Sequence, residues 1–164
     1  MHDEQHFTAP PRRRIGALAL IQDTAGERVL MVEKSYNSGP ARWGLPGGCA
    51  KTNEDAADAC RREAQEELGL SLAPGALLTA HRMPGSDSAE GYNFVFDCGQ
   101  IAADAEIRLG DELTSYRFMT PDEIREHAAP YTAWRVESAL RTLSGEAGGY
   151  IVGHPEARTA PDAA

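Results

Sequence analysis

The sequence is poor in cysteine and has no long apolar stretch. Its 164 residues include only three cysteines, Cys49, Cys60 and Cys98. An odd and sparse set of cysteines is not a disulfide framework, and the absence of a Cys-x-x-Cys pair gives no sign of a zinc or redox site. Three arginines precede the apolar residues 15–21 as in a secretory leader, but this run is too short and continues into polar residues. Because no stretch approaches the roughly 20 apolar residues of a membrane span, we expect a cytoplasmic protein.

Basic residues are also in the minority. The chain has 16 Lys and Arg against 25 Asp and Glu, for a formal net charge of −9. A grip on DNA or RNA needs a surface rich in Lys and Arg, and so does adhesion to an anionic membrane, so neither partner is expected. By itself, the acidity would also argue against a polyanionic small ligand.

Hydrophobic periodicity predicts strands, a helix, further strands and then helices. This order favours a mixed α+β or layered α/β/α domain over a doubly wound parallel sheet. Strands at 15–22 and 28–34 are predicted to form a hairpin. A helix over 52–68 is predicted to start from Thr52 as N-cap and to end at Gly69. The later predicted elements are strands over 77–83, 92–98, 106–109 and 114–119, a helix starting at Thr120 and a helix over 131–143.

One folded domain accounts for a chain of this length. Residues 1–11 are polar and end in two prolines, which predicts a flexible N-terminal tail. The folded domain is expected to span 12–145. Residues 146–164 are rich in Gly, Ala and Pro and are predicted to form a loosely ordered C-terminal tail.

The helix predicted over 52–68 carries three glutamates on one face. Glu63, Glu66 and Glu67 are spaced i, i+3 and i+4, which places their carboxylates within an arc of roughly 100°. Like charges at this spacing repel by about 0.2–0.5 kcal/mol per pair in an exposed helix. A hard divalent cation such as Mg²⁺ turns that cost into a gain. A solvated acidic helix face explains the same spacing, so the helix alone leaves both interpretations open.

The wider segment 48–70 resembles the Nudix box, the signature of the Nudix hydrolases. The family pattern places Gly, Glu, Arg-Glu, Glu-Glu and Gly at fixed spacings, and all seven of these positions match. Ala64 departs from the pattern, because the family usually carries a bulkier aliphatic residue there. Residues 43–48 resemble the family's lead-in to the box, and the resemblance covers residues 14 to about 143. The matching positions are Gly48, Glu54, Arg62, Glu63, Glu66, Glu67 and Gly69.

The resemblance implies a Nudix-type α/β/α sandwich with a mixed β-sheet. It also implies a hydrolase that uses Mg²⁺ or Mn²⁺ to direct water at a diphosphate linkage in a nucleoside diphosphate attached to another group. By position, the three helix glutamates are metal ligands, the backbone carbonyl of Gly47 is a further ligand, and Arg62 and Glu54 organise them. Bound cations would reverse the local charge, so the acidity does not exclude nucleotides.

The general base varies within the Nudix family, where some members use a glutamate of the box and others an acid from a later loop. In this chain Glu66 or Glu63 is the first choice. Glu112 is a downstream alternative for base or ligand, and Glu90 a weaker one. Both of these acids are also compatible with an ordinary solvated surface position.

The expected substrate is a nucleotide-type small molecule, first of all a nucleoside triphosphate cleaved by a mutator-type pyrophosphohydrolase. The alternatives are an ADP-ribose or nucleotide-sugar pyrophosphatase, a non-catalytic nucleotide-sensing module, and an isomerase of the same fold. The intact box favours a hydrolase over the last two. Trp43, Tyr92 and Phe94 are candidates for stacking on a base, although packing is the commoner role of such residues. Nudix enzymes are often homodimers, so a homodimer is also considered.

Overall fold

A computed structural model describes residues 5–155, and its centre is one eight-stranded mixed β-sheet. The strands are β1 (Arg14–Asp23), β2 (Val29–Lys34), β3 (Trp43–Gly44), β4 (Gly47–Cys49), β5 (Leu77–Met83), β6 (Gly91–Ile101), β7 (Leu113–Met119) and β8 (Tyr150–Val152). The α-helices are α1 (Gln5–Thr8), α2 (Ala56–Leu68), α3 (Pro121–His127) and α4 (Pro130–Leu143). The sheet order is β3-β2-β1-β6-β5-β8, while β4 also pairs with β1 and β7 with β2.

Strand β1 lies at the centre of the sheet because its apolar side chains are buried on both faces. It pairs in parallel with β6 and antiparallel with β4 and β2, and the pairing with β2 confirms the predicted hairpin. Leu18 and Leu20 join one core cluster, while Ala17, Ala19 and Ile21 join the other. A near-continuous apolar run is typical of a strand covered on both faces. The leader-like run of the sequence is therefore a core strand.

Helices cover both faces of the sheet. Helix α2 buries Ala59, Cys60 and Leu68 against one face. Helices α3 and α4 bury Ile124 and Val136, respectively, against the opposite face. The layers form an α/β/α sandwich around a mixed sheet, which confirms the expected fold class.

Helix α2 has its N-cap three residues later than predicted. The cap is Asp55, whose side chain accepts hydrogen bonds from the backbone N–H groups two and three residues further on. Thr52 lies in the preceding turn, so its prediction as N-cap is wrong. The neighbouring Asn53 has a φ of 61°, a left-handed conformation that ends one turn and does not continue into a helix. The predicted end of the helix at Gly69 is confirmed, with a φ of 66°.

Residues 106–109 do not form the predicted strand. They pass the C-terminal end of α2, where the Arg108 N–H donates to the Leu68 carbonyl and the Gly110 N–H donates to the Glu67 carbonyl, both at 2.9 Å. The last carbonyls of a helix have no partners within it. Hydrogen bonds to the helix end therefore replace strand pairing, and they bring the loop around Gly110 close to the acidic end of α2.

The structure contains regular secondary structure within both predicted tails where it describes them. Helix α1 lies within the predicted N-terminal tail, and residues 1–4 of that tail lie outside the described residues. In the predicted C-terminal tail, β8 pairs in parallel with β5, which would otherwise be an edge strand with open backbone groups. The folded chain therefore continues past residue 145, and residues 156–164 lie outside the described residues. Within 5–155, no helix combines the length and apolar character that crossing a membrane requires.

Candidate active site

Strand β4 brings two glycines against the acidic half of α2. Gly47 and Gly48 pair with Leu18 and Ala17 of the central strand. Gly47 has a φ of 137°, and a β-carbon built on it would lie 2.1 Å from the Ala17 carbonyl oxygen. A β-carbon on Gly48 would lie 2.6 Å from Cδ of Glu63. Gly47 is therefore required for the close approach to β1, and Gly48 for the Glu63 carboxylate to lie directly against this strand.

Glu67 is buried at the same place, with 5% of its surface exposed. The Gly47 N–H donates to its Oε2 at 2.8 Å. The pKa of Glu67 is raised to about 7, chiefly by burial and also by the charges of Glu63 and Glu112, whereas the Gly47 hydrogen bond and the charge of Lys34 oppose the shift. A desolvated carboxylate that faces two others is a position where a cation is favoured.

Arg62 links the start of the box to the acidic face of the helix. Its Nε and Nη2 donate to the two carboxylate oxygens of Glu54 at 2.8 and 2.9 Å, and Nη2 also reaches the Cys49 carbonyl at 3.2 Å. Its Nη1 donates to Glu63 at 2.9 Å and to Glu66 at 3.1 Å. These hydrogen bonds lower the pKa of Glu54 to about 2 and raise that of Arg62. One guanidinium therefore fixes the side chains of three carboxylates.

A cleft of about 270 Å³ opens between the acidic face of α2 and the loop before β7. The loop lies so close to the helix that a β-carbon on Gly110 would be 2.6 Å from the Glu66 carbonyl oxygen. Glycine at this position allows the close approach. The backbone N–H and the hydroxyl of Ser35 both donate to the Glu112 carbonyl, at 2.9 and 3.0 Å. The cleft residues are Glu63, Glu66, Glu67, Gly110, Asp111, Glu112 and Leu113.

The structure thus brings the downstream candidate Glu112 to the glutamates of the box. It adds Asp111 in the cleft and Lys34 near Glu67, and the sequence analysis named neither. The only sequence signal for Asp111 is its position next to Glu112. Lys34 had no signal, because the pairing of β2 with β7 that brings it to the cleft joins residues far apart in the chain.

Four candidates of the sequence analysis lie elsewhere. Trp43 packs against the core cluster beneath α3 and α4. Tyr92 stacks on Phe94 with ring centroids 6.0 Å apart and an interplanar angle of 5°. Glu90 forms ion pairs with two arginines of the sheet region, at 3.0 and 2.7 Å. None of the four lines the acidic cleft, so their placement favours packing or a surface ion pair.

The cleft suits a hard divalent cation because its donors are carboxylate and backbone oxygens. Among residues 5–155, no three acidic, histidine or cysteine side chains already converge as a metal site. Glu63 and Glu66 instead accept hydrogen bonds from Arg62. The residues therefore fit a cation in donor type, and each of these two carboxylates has a second oxygen that does not accept from Arg62.

Comparison with known proteins gives consistent matches over most of the chain. The family model of the NUDIX domain matches residues 12–141. A MutT-like protein of Streptomyces ambofaciens is 28% identical over 141 residues, which cover 85% of this chain and 85% of that protein. Nucleoside triphosphatase NudI of Escherichia coli O139:H28 is 26% identical over 127 residues, covering 69% and 86%. The solved MutT protein from Methanosarcina mazei Go1 has a TM-score of 0.69 at 27% identity, covering 80% and 95%.

An α/β/α sandwich that places a three-glutamate helix beside a glycine strand is the architecture of a Nudix domain. The family match over residues 12–141 shows that the chain belongs to the NUDIX family. It is a Nudix hydrolase, which confirms the prediction from the box. Members of this family act on nucleotide-type small molecules and generally use divalent metals.

Proposed function

We propose that this protein is a divalent-metal-dependent pyrophosphohydrolase that cleaves a nucleoside triphosphate into a nucleoside monophosphate and pyrophosphate. The observation that carries the proposal is the cleft shared by Glu63, Glu66, Glu67 and Glu112. Relatives named as a MutT-like protein and a nucleoside triphosphatase support the choice of substrate.

The proposed metal ligands are the carboxylates of Glu63, Glu66 and Glu67 and the backbone carbonyl of Gly47. Bound there, Mg²⁺ or Mn²⁺ would neutralise phosphate oxygens and lower the pKa of a coordinated water. Arg62 holds two of these carboxylates in place before the cation arrives. The protein's own contribution is then to position the phosphates and to hold charges in a fixed arrangement.

Glu66 is the proposed general base. Its side chain is 57% exposed, against 16% for Glu63, so it is the better placed of the two to take a proton from a water in the cleft. As the water oxygen bonds to phosphorus, its proton passes to the Glu66 carboxylate and the bond to the leaving phosphate oxygen breaks. Glu112 faces the same cleft and is the alternative base.

A substrate panel tests the reaction. Canonical and oxidised nucleoside triphosphates, ADP-ribose, nucleotide sugars and dinucleoside polyphosphates are compared by kcat/KM with Mg²⁺, with Mn²⁺ and with no divalent cation. We expect the highest value for a nucleoside triphosphate, with monophosphate and pyrophosphate formed in equal amounts. Equal turnover in metal-free buffer, or a higher kcat/KM for ADP-ribose or a nucleotide sugar, would contradict the proposal.

The choice of base is tested with matched carboxamide variants. Glu66→Gln is expected to lower kcat about 10²–10⁴-fold, the usual contribution of a general base. Glu112→Gln should have a smaller effect, and Glu90→Gln, which changes an acid outside the cleft, should leave kcat unchanged. A larger loss in Glu112→Gln than in Glu66→Gln would assign the base to the loop.

A further inference from the structure

Helix α4 buries a guanidinium that has no acidic partner in the part of the chain that the structure describes. Arg135 is 8% exposed, and its one hydrogen bond within residues 5–155 runs from Nε to Nδ1 of His81 at 3.1 Å. The ring of Tyr131 lies 5.9 Å from the guanidinium carbon. No side-chain nitrogen in this part of the chain is fully buried without a partner. The terminal nitrogens of Arg135 therefore reach its small exposed surface.

His81 does not balance the charge of Arg135. Its Nδ1 accepts from Arg135 and its Nε2 donates to the Gly153 carbonyl at 2.8 Å, which is the pattern of a neutral imidazole. Burial, together with the charge of Arg135, lowers the pKa of His81 to about 4. Burial also lowers the pKa of Arg135, to about 10, which leaves the guanidinium charged at neutral pH.

A second arginine reaches the same place from the central strand. Arg14 donates from Nη1 to Oδ1 of Asn93 at 3.1 Å, and Asn93 pairs with His81 in the ladder between β5 and β6. Gly16 leaves space for this contact, because a β-carbon on it would lie 2.3 Å from the same Oδ1. Within the described residues neither arginine forms an ion pair. Two cationic side chains thus flank Asn93 and His81 with no counter-charge from residues 5–155.

We propose that Arg135 and Arg14 form an anion-binding site on the α4 face of the sheet, and that its ligand is a phosphate group. A buried charge without a counter-ion is strongly unfavourable, and a bound anion removes that penalty. Guanidinium groups match phosphate oxygens with paired, charge-assisted hydrogen bonds. None of the acids of the catalytic cleft takes part, so this site goes beyond the proposed function.

The site and the acidic cleft lie on opposite faces of the sheet, and strand β1 connects them. Arg14 precedes Ala17 by three residues, about 10 Å along β1, and Ala17 pairs with Gly48 beside Glu63. A phosphate on a remote part of the substrate and a separate phosphate compound offer the same chemistry. The anion-binding site itself does not depend on the proposed hydrolysis. Only the assignment of the phosphate to the substrate rests on the proposed function.

Calorimetric titration of inorganic phosphate into metal-free protein tests the site without turnover. The protein is stripped of metal and dialysed free of chelator, because a chelator is itself an anion and a bound cation would attract phosphate to the acidic cleft. Arg135→Met keeps the apolar stem and removes the charge. Arg14→Gln removes the second cation, and Arg141→Gln is the control, since it changes an exposed arginine of the same helix.

Phosphate is expected to bind the wild type and the Arg141→Gln control with equal affinity. Arg135→Met should weaken binding about tenfold or more, as expected for the loss of a charge-assisted hydrogen bond, and Arg14→Gln should weaken it as well. No binding to the wild type, or equal binding to Arg135→Met, would overturn the proposal. If circular dichroism shows that Arg135→Met is unfolded, the result for Arg14→Gln decides in the same way.

Steady-state kinetics with Mg²⁺ then separates the two sources of the phosphate. A raised KM with unchanged kcat in Arg14→Gln assigns the phosphate to the substrate. An unchanged KM together with lost phosphate binding assigns the site to a separate anion. If the protein does not hydrolyse nucleoside triphosphates, neither the wild type nor any variant will show turnover. The phosphate titration would give the same result in that case.

Discussion

Arg62 and Glu54 form a two-pronged ion pair, in which Nε donates to Oε1 at 2.8 Å and Nη2 donates to Oε2 at 2.9 Å. The remaining nitrogen of the guanidinium donates to Glu63 and Glu66. The turn before α2 is thereby tied to two of the proposed metal ligands, whose mutual repulsion the positive charge also reduces. This arrangement needs a planar group with several donors, which lysine does not provide.

Arg62→Lys is therefore expected to lower kcat/KM about 10–100-fold while the protein stays folded, since groups that orient metal ligands typically contribute that much. Arg61→Lys is the matched control, because Arg61 is an exposed neighbour whose ion pair goes to Asp58 instead. The measurements are kcat/KM at saturating Mg²⁺ and the apparent Mg²⁺ affinity. Equal kinetics in the two variants would show that the forked geometry is unimportant.

Gly48→Ala should displace Glu63, because the new β-carbon would lie 2.6 Å from the Glu63 Cδ. We expect a large loss of activity and a destabilisation of about 1–3 kcal/mol, typical of overpacking. Gly44→Ala is the control, since the nearest atom to a β-carbon there is Lys34 Cε at 3.8 Å, an ordinary contact. Activity assays and urea unfolding of both variants check this, and wild-type activity in Gly48→Ala would contradict it.

The sequence was sufficient to predict the parts of the site that depend on local spacing. Three glutamates at i, i+3 and i+4 share a helix face wherever that helix lies, and a glycine after the helix predicts its end. Glu112 reaches those glutamates only because Gly110 and Arg108 bond to the end of α2, whereas the sequence predicts a strand over 106–109. Arg135 and His81 meet through packing of α4 on β5, a contact between distant segments that no local pattern encodes.

Metal binding should stabilise the wild type and not the Glu67→Gln variant. A ligand that binds only the folded state adds about 2.7 kcal/mol at 100 times its dissociation constant. Glu67→Gln removes the buried charge that the cation would neutralise, while its side-chain oxygen can still accept from Gly47. Thermal melts with and without Mg²⁺ measure the difference. Glu137→Gln, on the helix of the opposite face, is the control and should keep the wild-type response, whereas an equal Mg²⁺ shift in Glu67→Gln would exclude Glu67 as a ligand.

His81 should make metal-free protein less stable as the pH falls. Burial, followed by the charges of Arg135, His154 and Arg14, lowers its folded-state pKa from 6.5 to about 4, while the hydrogen bond to Gly153 opposes the shift. The unfolded chain therefore takes up a proton at higher pH than the folded protein does, so protons favour unfolding between pH 6.5 and about 4. The full effect is about 3 kcal/mol at most.

Urea unfolding at a series of pH values measures this contribution as the difference between the wild type and His81→Gln. The shared carboxylates affect both proteins alike, so they cancel in the difference. We expect the stability advantage of the wild type to shrink steadily as the pH is lowered through this window and to level off below it. Parallel curves for the two proteins would show that His81 takes up its proton equally well in the folded and unfolded states, and would contradict this prediction.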